Sequence, residues 1–302
     1  MSGAPIEARG LVKRYGELTA VDHVELTVEP GDVFGYLGPN GAGKTTSLRM
    51  MLGLIAPTAG NVRLFGRDPH ADGAAALEGV AGFVEGPRFY PYLSGRKNLR
   101  LLADLDGRGA ASRIDAVLDL VELSDRAKDR VGGYSHGMRQ RLGIAASLLR
   151  DPRLLLLDEP TTGLDPAGMR DMRELVKRLA GEGITILLSS HILAEVEELC
   201  NRVAIIRRGS IIYEGQLQDL LRSGGGDYRL RTTDQERART VLLAHGAAGV
   251  ELVGGELRFR AEPAEVEAIS IALGRAGVGI SALVPHTATL EELFLDMTEQ
   301  AA

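Results

Sequence analysis

The nine residues Gly38-Pro39-Asn40-Gly41-Ala42-Gly43-Lys44-Thr45-Thr46 follow the apolar run VFGYL (33–37) and lead into a helical pattern at 44–54. A strand that turns through glycines directly into a helix fixes the first unit of a parallel α/β sheet. It also fixes what the turn can hold. Glycines let the backbone curl so that several N–H groups point inward, and the helix beginning near Gly43 adds the positive end of its dipole. Such a turn suits phosphate. In the pattern G-x-x-x-x-G-K-[ST], Lys44 supplies a point charge for β- and γ-phosphates and Thr45 offers its hydroxyl to Mg²⁺. Gly38, Asn40, Gly41, Ala42, Gly43, Lys44, Thr45 and Thr46 are therefore the expected cradle for a nucleotide.

A second run, RLLLLDEP (153–160), complements the first. An apolar strand delivers Asp158 to the carboxyl end of the sheet, where ligands gather in open α/β folds. Asp158 is placed to hold Mg²⁺ through water, and Glu159 to act as general base toward an attacking water. Further buried strands are expected at 185–189 and 203–207, with helices at 112–122, 138–149, 167–180 and 192–200. The opening runs IEARGLVKRYG and VDHVELTV alternate sidedness and suit antiparallel edge strands.

Composition changes at RSGGGD (222–227), a linker signal. This sets expected domains at 1–222 and 228–302, joined by a glycine-rich linker at 223–227. Beyond it the patterns run strand, helix, two strands around Gly254-Gly255, helix, strand: a ferredoxin-like βαββαβ order. Thr289 and Glu292 then have the spacing of a capping box before a last helix.

The net charge is -6, which weighs against a partner made of nucleic acid phosphates. The lone Cys200 excludes an internal disulfide and suits a reducing compartment; it sits at the end of an apolar helical pattern, as a buried small hydrophobe would. The N-terminal residues show no signal-peptide pattern, and no apolar run approaches the ~20 residues of a spanning helix. Work at a membrane would require another chain to cross it.

The remaining motifs resemble those of the nucleotide-binding domain of ABC transporters, in the family's order between residues 6 and about 220. Tyr134-Ser135-His136-Gly137-Met138 looks like the signature motif, usually LSGGQ, with Ser135 and Gly137 retained at a helix N-terminus. His136 stands where the motif usually has glycine, as a pH-sensitive contact or a tolerated surface side chain. TTGLDP (161–166) resembles the D-loop, with Asp165 also suited to cap the next helix. His191 occupies the place of the switch histidine, and Tyr15 that of the aromatic which stacks on adenine. Glu85 falls where the family usually carries glutamine, at the right interval before Tyr90-Pro91 and Asn98-Leu99. Its carboxylate would remain a hard oxygen ligand for Mg²⁺.

The resemblance implies an α/β P-loop NTPase core of the ABC ATPase kind. That core would carry an antiparallel β edge subdomain, an α-helical subdomain near 86–150 and the small α+β C-terminal domain. It implies ATP and Mg²⁺ as ligands, with Lys44, Glu159 and His191 catalytic and Thr45, Glu85 and Asp158 at the metal. It further implies a head-to-tail dimer with a second copy or a homologous ATPase subunit. ATP would lie between the phosphate loop of one and Ser135, Gly137 and Asp165 of the other. A separate transmembrane permease would hold the protein to the cytoplasmic face of the membrane, docked near the aromatic run RFYPYL (88–93). The tail ending HTATLEELFLDMTE resembles the extension of drug, bacitracin and lantibiotic exporter ATPases, which favours export over import. An ABC-type ATPase acting on ribosomes or nucleic acid is the other class. It usually brings paired domains, coiled-coil insertions or zinc-binding cysteines, none of which this sequence shows.

Overall fold

The computed structural model describes residues 3–107, 109–223, 226–285 and 289–300. The chain divides into two compact units, Met1–Leu217 and Gln218–Ala302. The first opens with β1 (Ile6–Tyr15) and β2 (Leu18–Val28), then β3 (Val33–Leu37), α1 (Lys44–Met51), β4 (Ala59–Arg63) and β5 (Val80–Phe83). Three helices follow, α2 (Gly95–Asp106), α3 (Ile114–Leu120) and α4 (His136–Leu148). The unit closes with β6 (Leu154–Asp158), α5 (Pro166–Gly181), β7 (Thr185–Ser190), α6 (Leu193–Leu199), β8 (Arg202–Arg207) and β9 (Ser210–Gln216). The helix α7 (Leu217–Ser223) comes next.

Two sheets build this unit. One is antiparallel, in the order β2-β1-β4, as the alternating edge runs require. The other runs β5-β6-β7-β3-β8-β9, with five parallel strands and an antiparallel β9 at its edge. Its inner strands are covered on both faces, so LLLLD and TILLSS are buried at every residue. A core containing Ile6, Leu11, Leu26, Phe34, Tyr36, Leu48, Met50 and Leu154 joins the two sheets around α1. That packing fixes the turn between β3 and α1 from both sides.

Three elements of this unit lacked a sequence pattern. β4 buries only Val62 of its five residues, and β9 is half-buried up to its exposed last residue, Gln216. Along α2, Leu99 and Ala103 are buried while Leu101, Leu102 and Leu105 are exposed, so its apolar residues do not form one stripe. The helix expected at 112–122 is instead a 3₁₀ turn at Ala110–Arg113 followed by α3.

The second unit contains β10 (Asp227–Thr232), α8 (Gln235–Ala244), β11 (Ala248–Val253), β12 (Glu256–Arg260), α9 (Pro263–Arg275), β13 (Ile280–Pro285) and α10 (Leu290–Gln300). Its antiparallel sheet has the order β11-β12-β10-β13, the ferredoxin-like arrangement. Leu230, Leu242, Leu257, Phe259, Ile269 and Leu273 form its core, and the Tyr228 and Phe259 rings stack at 5.7 Å. The capping box at α10 is present: Thr289 N–H donates to Glu292 Oε2 at 3.0 Å and Glu292 N–H to Thr289 Oγ1 at 3.2 Å. Of the residues expected as linker, Gly224 and Gly225 lie outside the described residues, and β10 already begins at Asp227.

Candidate functional site

The turn after β3 is drawn tight around Lys44. Its Nζ donates to the carbonyls of Gly38 at 2.6 Å and Pro39 at 3.3 Å, and the side chain is buried. Gly43 makes this possible: its φ is 108°, and a Cβ there would lie 2.4 Å from the Ala20 carbonyl oxygen. Any other residue would be strained and would collide with backbone. Asn40 and Gly41, at the tip, are exposed, and Thr46 is half-buried. The first turn of α1 presents Thr45, whose Oγ1 donates to Asp158 Oδ2 at 3.0 Å.

Asp158, at the end of buried β6, is itself buried and collects donors. Ser189 Oγ on the neighbouring β7 donates to its Oδ1 at 2.6 Å, and the Glu85 backbone N–H reaches Oδ2 at 3.3 Å. The next residue, Glu159, adopts φ 47°, in the left-handed region. Its N–H donates to Ser189 Oγ at 3.0 Å. Its carboxylate has three partners: Lys44 Nζ at 3.3 Å, His191 Nδ1 at 3.2 Å and the Thr162 hydroxyl, which donates at 2.9 Å. Burial pushes this carboxyl up, but Thr162, Lys44 and His191 together outweigh burial and hold it below the ordinary value. It is thus ionised, and Thr162, Lys44 and His191 surround it.

Lys44, Thr45, Asp158, Glu159 and His191, chosen from sequence, therefore lie in one connected set. Glu85 joins it differently from the expectation. Only its backbone touches Asp158; its carboxylate is paired with Arg49 on α1 and is largely exposed. A carboxylate, unlike an amide, forms a charged pair with a guanidinium, and here the Glu85 side chain is engaged by Arg49 rather than by Asp158 or Thr45. The oxygens that fit Mg²⁺ are those of Thr45 and Asp158. Among the described residues no group of three or more His, Cys, Asp or Glu could hold a metal ion.

Tyr15 lies at the end of β1, half-exposed, with Lys13 Nζ 5.2 Å from the ring centroid. Ser135 caps α4, accepting from the Met138 N–H at 3.2 Å. Ser135, Gly137 and Asp165 line one pocket of about 380 Å³ with His136, Gly163 and Leu164. No described hydrogen bond joins Ser135 or Gly137 to Lys44 or Thr45. Asp165 caps α5 through the Gly168 N–H at 2.8 Å. Tyr134, the departure from leucine, is buried and donates its hydroxyl to the Arg126 carbonyl at 2.7 Å, with burial raising its pKa. The larger side chain keeps leucine's buried role and satisfies its polar end.

Four residues around the site were not assigned a role from the sequence. Ser189 and Thr162 bind the two carboxylates, and Arg49 binds Glu85. Glu195 is buried and accepts from Thr161 Oγ1 at 2.9 Å and Ser190 Oγ at 2.8 Å; burial pushes its carboxyl up. The serine pair before His191 was the available clue, since hydroxyls at the end of a buried strand need partners.

An exposed, mainly apolar groove lies between residues 88–90 and α2. Arg88, Phe89, Tyr90, Leu101, Leu102 and Leu105 line about 640 Å³, and Tyr90 and Tyr92 are exposed with ring centroids 5.7 Å apart. Among the described residues no helix is long and apolar enough to cross a membrane.

The sequence pattern of the family described as ABC transporter matches residues 21–162. The bacitracin transport ATP-binding protein BcrA of Bacillus licheniformis is 43% identical over 241 residues, 80% of this chain and 79% of its own. The daunorubicin resistance ATP-binding protein DrrA3 of Streptomyces coeruleorubidus is 37% identical over 309 residues, 99% of this chain and 97% of its own. A solved structure of an ATP-binding subunit of an ABC transporter is 31% identical and superposes with a TM-score of 0.64, over 72% of this chain and 92% of that one.

Proposed function

The chain belongs to the ABC transporter family as an ATP-binding, ATP-hydrolysing subunit, and from that premise we propose that it powers export of an antibiotic-like drug or peptide through a separate membrane subunit. The relatives named for bacitracin transport and daunorubicin resistance support the direction and the class of cargo. The observation that carries the motor assignment is the ionised Glu159 carboxylate held by Lys44, His191 and Thr162 beside the phosphate turn.

The residues divide the work. Backbone N–H groups of 41–46 and the start of α1 take the β- and γ-phosphates, and Lys44 exchanges Glu159 for a phosphate oxygen. Tyr15 offers its face to the base. Thr45 and Asp158 would hold Mg²⁺, which would offset phosphate charge. Glu159 takes a proton from water as the water oxygen bonds to the γ-phosphorus and the bond to the ADP oxygen breaks. His191 keeps the carboxylate aimed. Ser135, Gly137 and Asp165 complete the site of a second subunit, so the active form is a head-to-tail pair that ATP closes. Closure is transmitted to a permease segment seated in the groove of Phe89, Tyr90, Leu101 and Leu105, at the cytoplasmic face of the membrane.

Co-purification with candidate membrane subunits, followed by ATPase assays with and without them, tests this. The expected result is a stable complex whose ATPase responds to the transported compound. A chain that hydrolyses ATP but binds no membrane subunit refutes the transport role.

A further inference from the structure

We propose that His136 is a positioning residue: through Thr162 it ties the signature turn to the general base of its own subunit. The inference rests on the function proposed above, in which Ser135 and Gly137 meet nucleotide bound by a second subunit.

The link is short and continuous. His136 is the first residue of α4, so its backbone moves with Ser135 and Gly137 on either side. Its Nε2 lies 3.0 Å from the Thr162 carbonyl oxygen. A carbonyl only accepts, so Nε2 carries the proton and donates. Thr162 in turn donates twice to Glu159, from Oγ1 to Oε2 at 2.9 Å and from its N–H to the Glu159 carbonyl at 3.2 Å. The ring also lies against Gly163. A Cβ there would stand 3.4 Å from Nε2, and φ is 78°. A side chain at 163 would therefore be strained and would press on the histidine.

A glycine at 136 would have no side chain with which to make this connection. With histidine, anything that fixes Ser135 and Gly137 also fixes Thr162, and Thr162 fixes the carboxylate that accepts the proton. Nucleotide held against the signature turn of one subunit thus favours the productive position of that subunit's own Glu159, which serves the other nucleotide. The device couples the two sites of the pair and predicts positive cooperativity in ATP.

A double-mutant cycle on the full chain tests it. His136→Gly removes the donor; Thr162→Val keeps the carbonyl but cuts the link at the hydroxyl; His136→Gln restores a donor. The expected result for His136→Gly is a kcat lower by about fivefold, the effect of one lost hydrogen bond. KM for ATP should stay within about twofold, and the Hill coefficient should fall toward one. His136→Gln should recover most of both, and the double variant should be no slower than Thr162→Val alone. Wild-type kcat and Hill coefficient in His136→Gly overturn the proposal. So do additive losses in the double variant, or a glutamine variant that folds yet stays as slow as glycine. Should His136→Gly fail to fold, Hill coefficients of His136→Gln and Thr162→Val still decide: cooperativity kept by glutamine and lost by valine supports the link, and any other pairing refutes it. Failure of the underlying assignment is seen separately, as a wild-type chain without ATPase activity.

Discussion

Glu159→Gln should stop hydrolysis while tightening ATP binding, and the structure gives the size of both effects. An amide cannot take a proton from water, and a positioned general base contributes about 10²–10⁴ in rate, so kcat should fall by that factor. Binding changes because Lys44, buried, is paired with Glu159 Oε1 at 3.3 Å and must give up that partner to reach a phosphate. At an effective dielectric of about 20, the attraction at this separation is about 5 kcal/mol before solvation. Water reaches the partly exposed carboxylate and returns most of it. A net of about 1 kcal/mol is the upper end for such pairs and corresponds to about fivefold tighter ATP. Fluorescent nucleotide titration reads the affinity, single-turnover hydrolysis reads the chemistry, and gel filtration with ATP reads the trapped pair. Hydrolysis at the wild-type rate would refute the base assignment. Weaker ATP binding would refute the competition between Glu159 and phosphate for Lys44.

Lys44→Ala removes the charged donor to phosphate, worth about 1.5–3 kcal/mol, so nucleotide Kd should rise by about 10–100-fold in an equilibrium titration. Glu85→Gln ends the pairing with Arg49 but keeps the backbone contact to Asp158; basal ATPase should persist, while stimulation by the membrane subunit should change in a reconstituted assay. Glu195→Gln should remove a pH dependence of stability. Burial raises this carboxyl, so the folded chain holds a proton that the unfolded chain has released. Stability therefore falls as pH rises from the unfolded value near about 4.3 through the raised one, by up to about 1.4 kcal/mol per pH unit, and glutamine abolishes that slope in urea unfolding midpoints.

Some of this site was legible in the sequence because its chemistry is local. The turn from Gly38 to Thr46 is marked by glycines at fixed offsets between a strand and a helix, and Asp158 and Glu159 end an unbroken apolar run. The small domain was legible for a similar reason: Gly254-Gly255 separates two strands, the second of which alternates between buried and half-buried residues. What stayed hidden depends on distance along the chain. Arg49 meets Glu85 across 36 residues, and Ser189 meets Asp158 across 31. No period or motif announces such pairs, so the expectation of a metal-facing Glu85 side chain could not anticipate the guanidinium that engages it. Tyr134 stands where the signature motif usually has leucine, and only the structure shows that its ring is buried and its hydroxyl serves the Arg126 carbonyl.

The segment from Asp158 to Asp165 joins stability to catalysis. It carries Asp158 and Glu159, the proposed metal ligand and general base, and the cap of α5 within one short stretch. Glu159 sits in a left-handed conformation, which costs a non-glycine residue about 1–3 kcal/mol and persists only where its surroundings overdetermine it. Here they do, at three points. Ser189 fixes the Glu159 N–H, buried Thr161 is fixed to Glu195, and Asp165 is fixed by the Gly168 N–H. Between these anchors, Thr162 can contact both Glu159 and His136 with little freedom of its own. Loss of any one anchor releases strain at Glu159, so the carboxylate should lose its aim before the fold is lost. Thr161→Val, which deletes one hydroxyl, should therefore reduce kcat by a larger factor than its change in melting temperature would suggest. Equal proportional loss of folded protein and of activity would show that the anchors serve the fold alone.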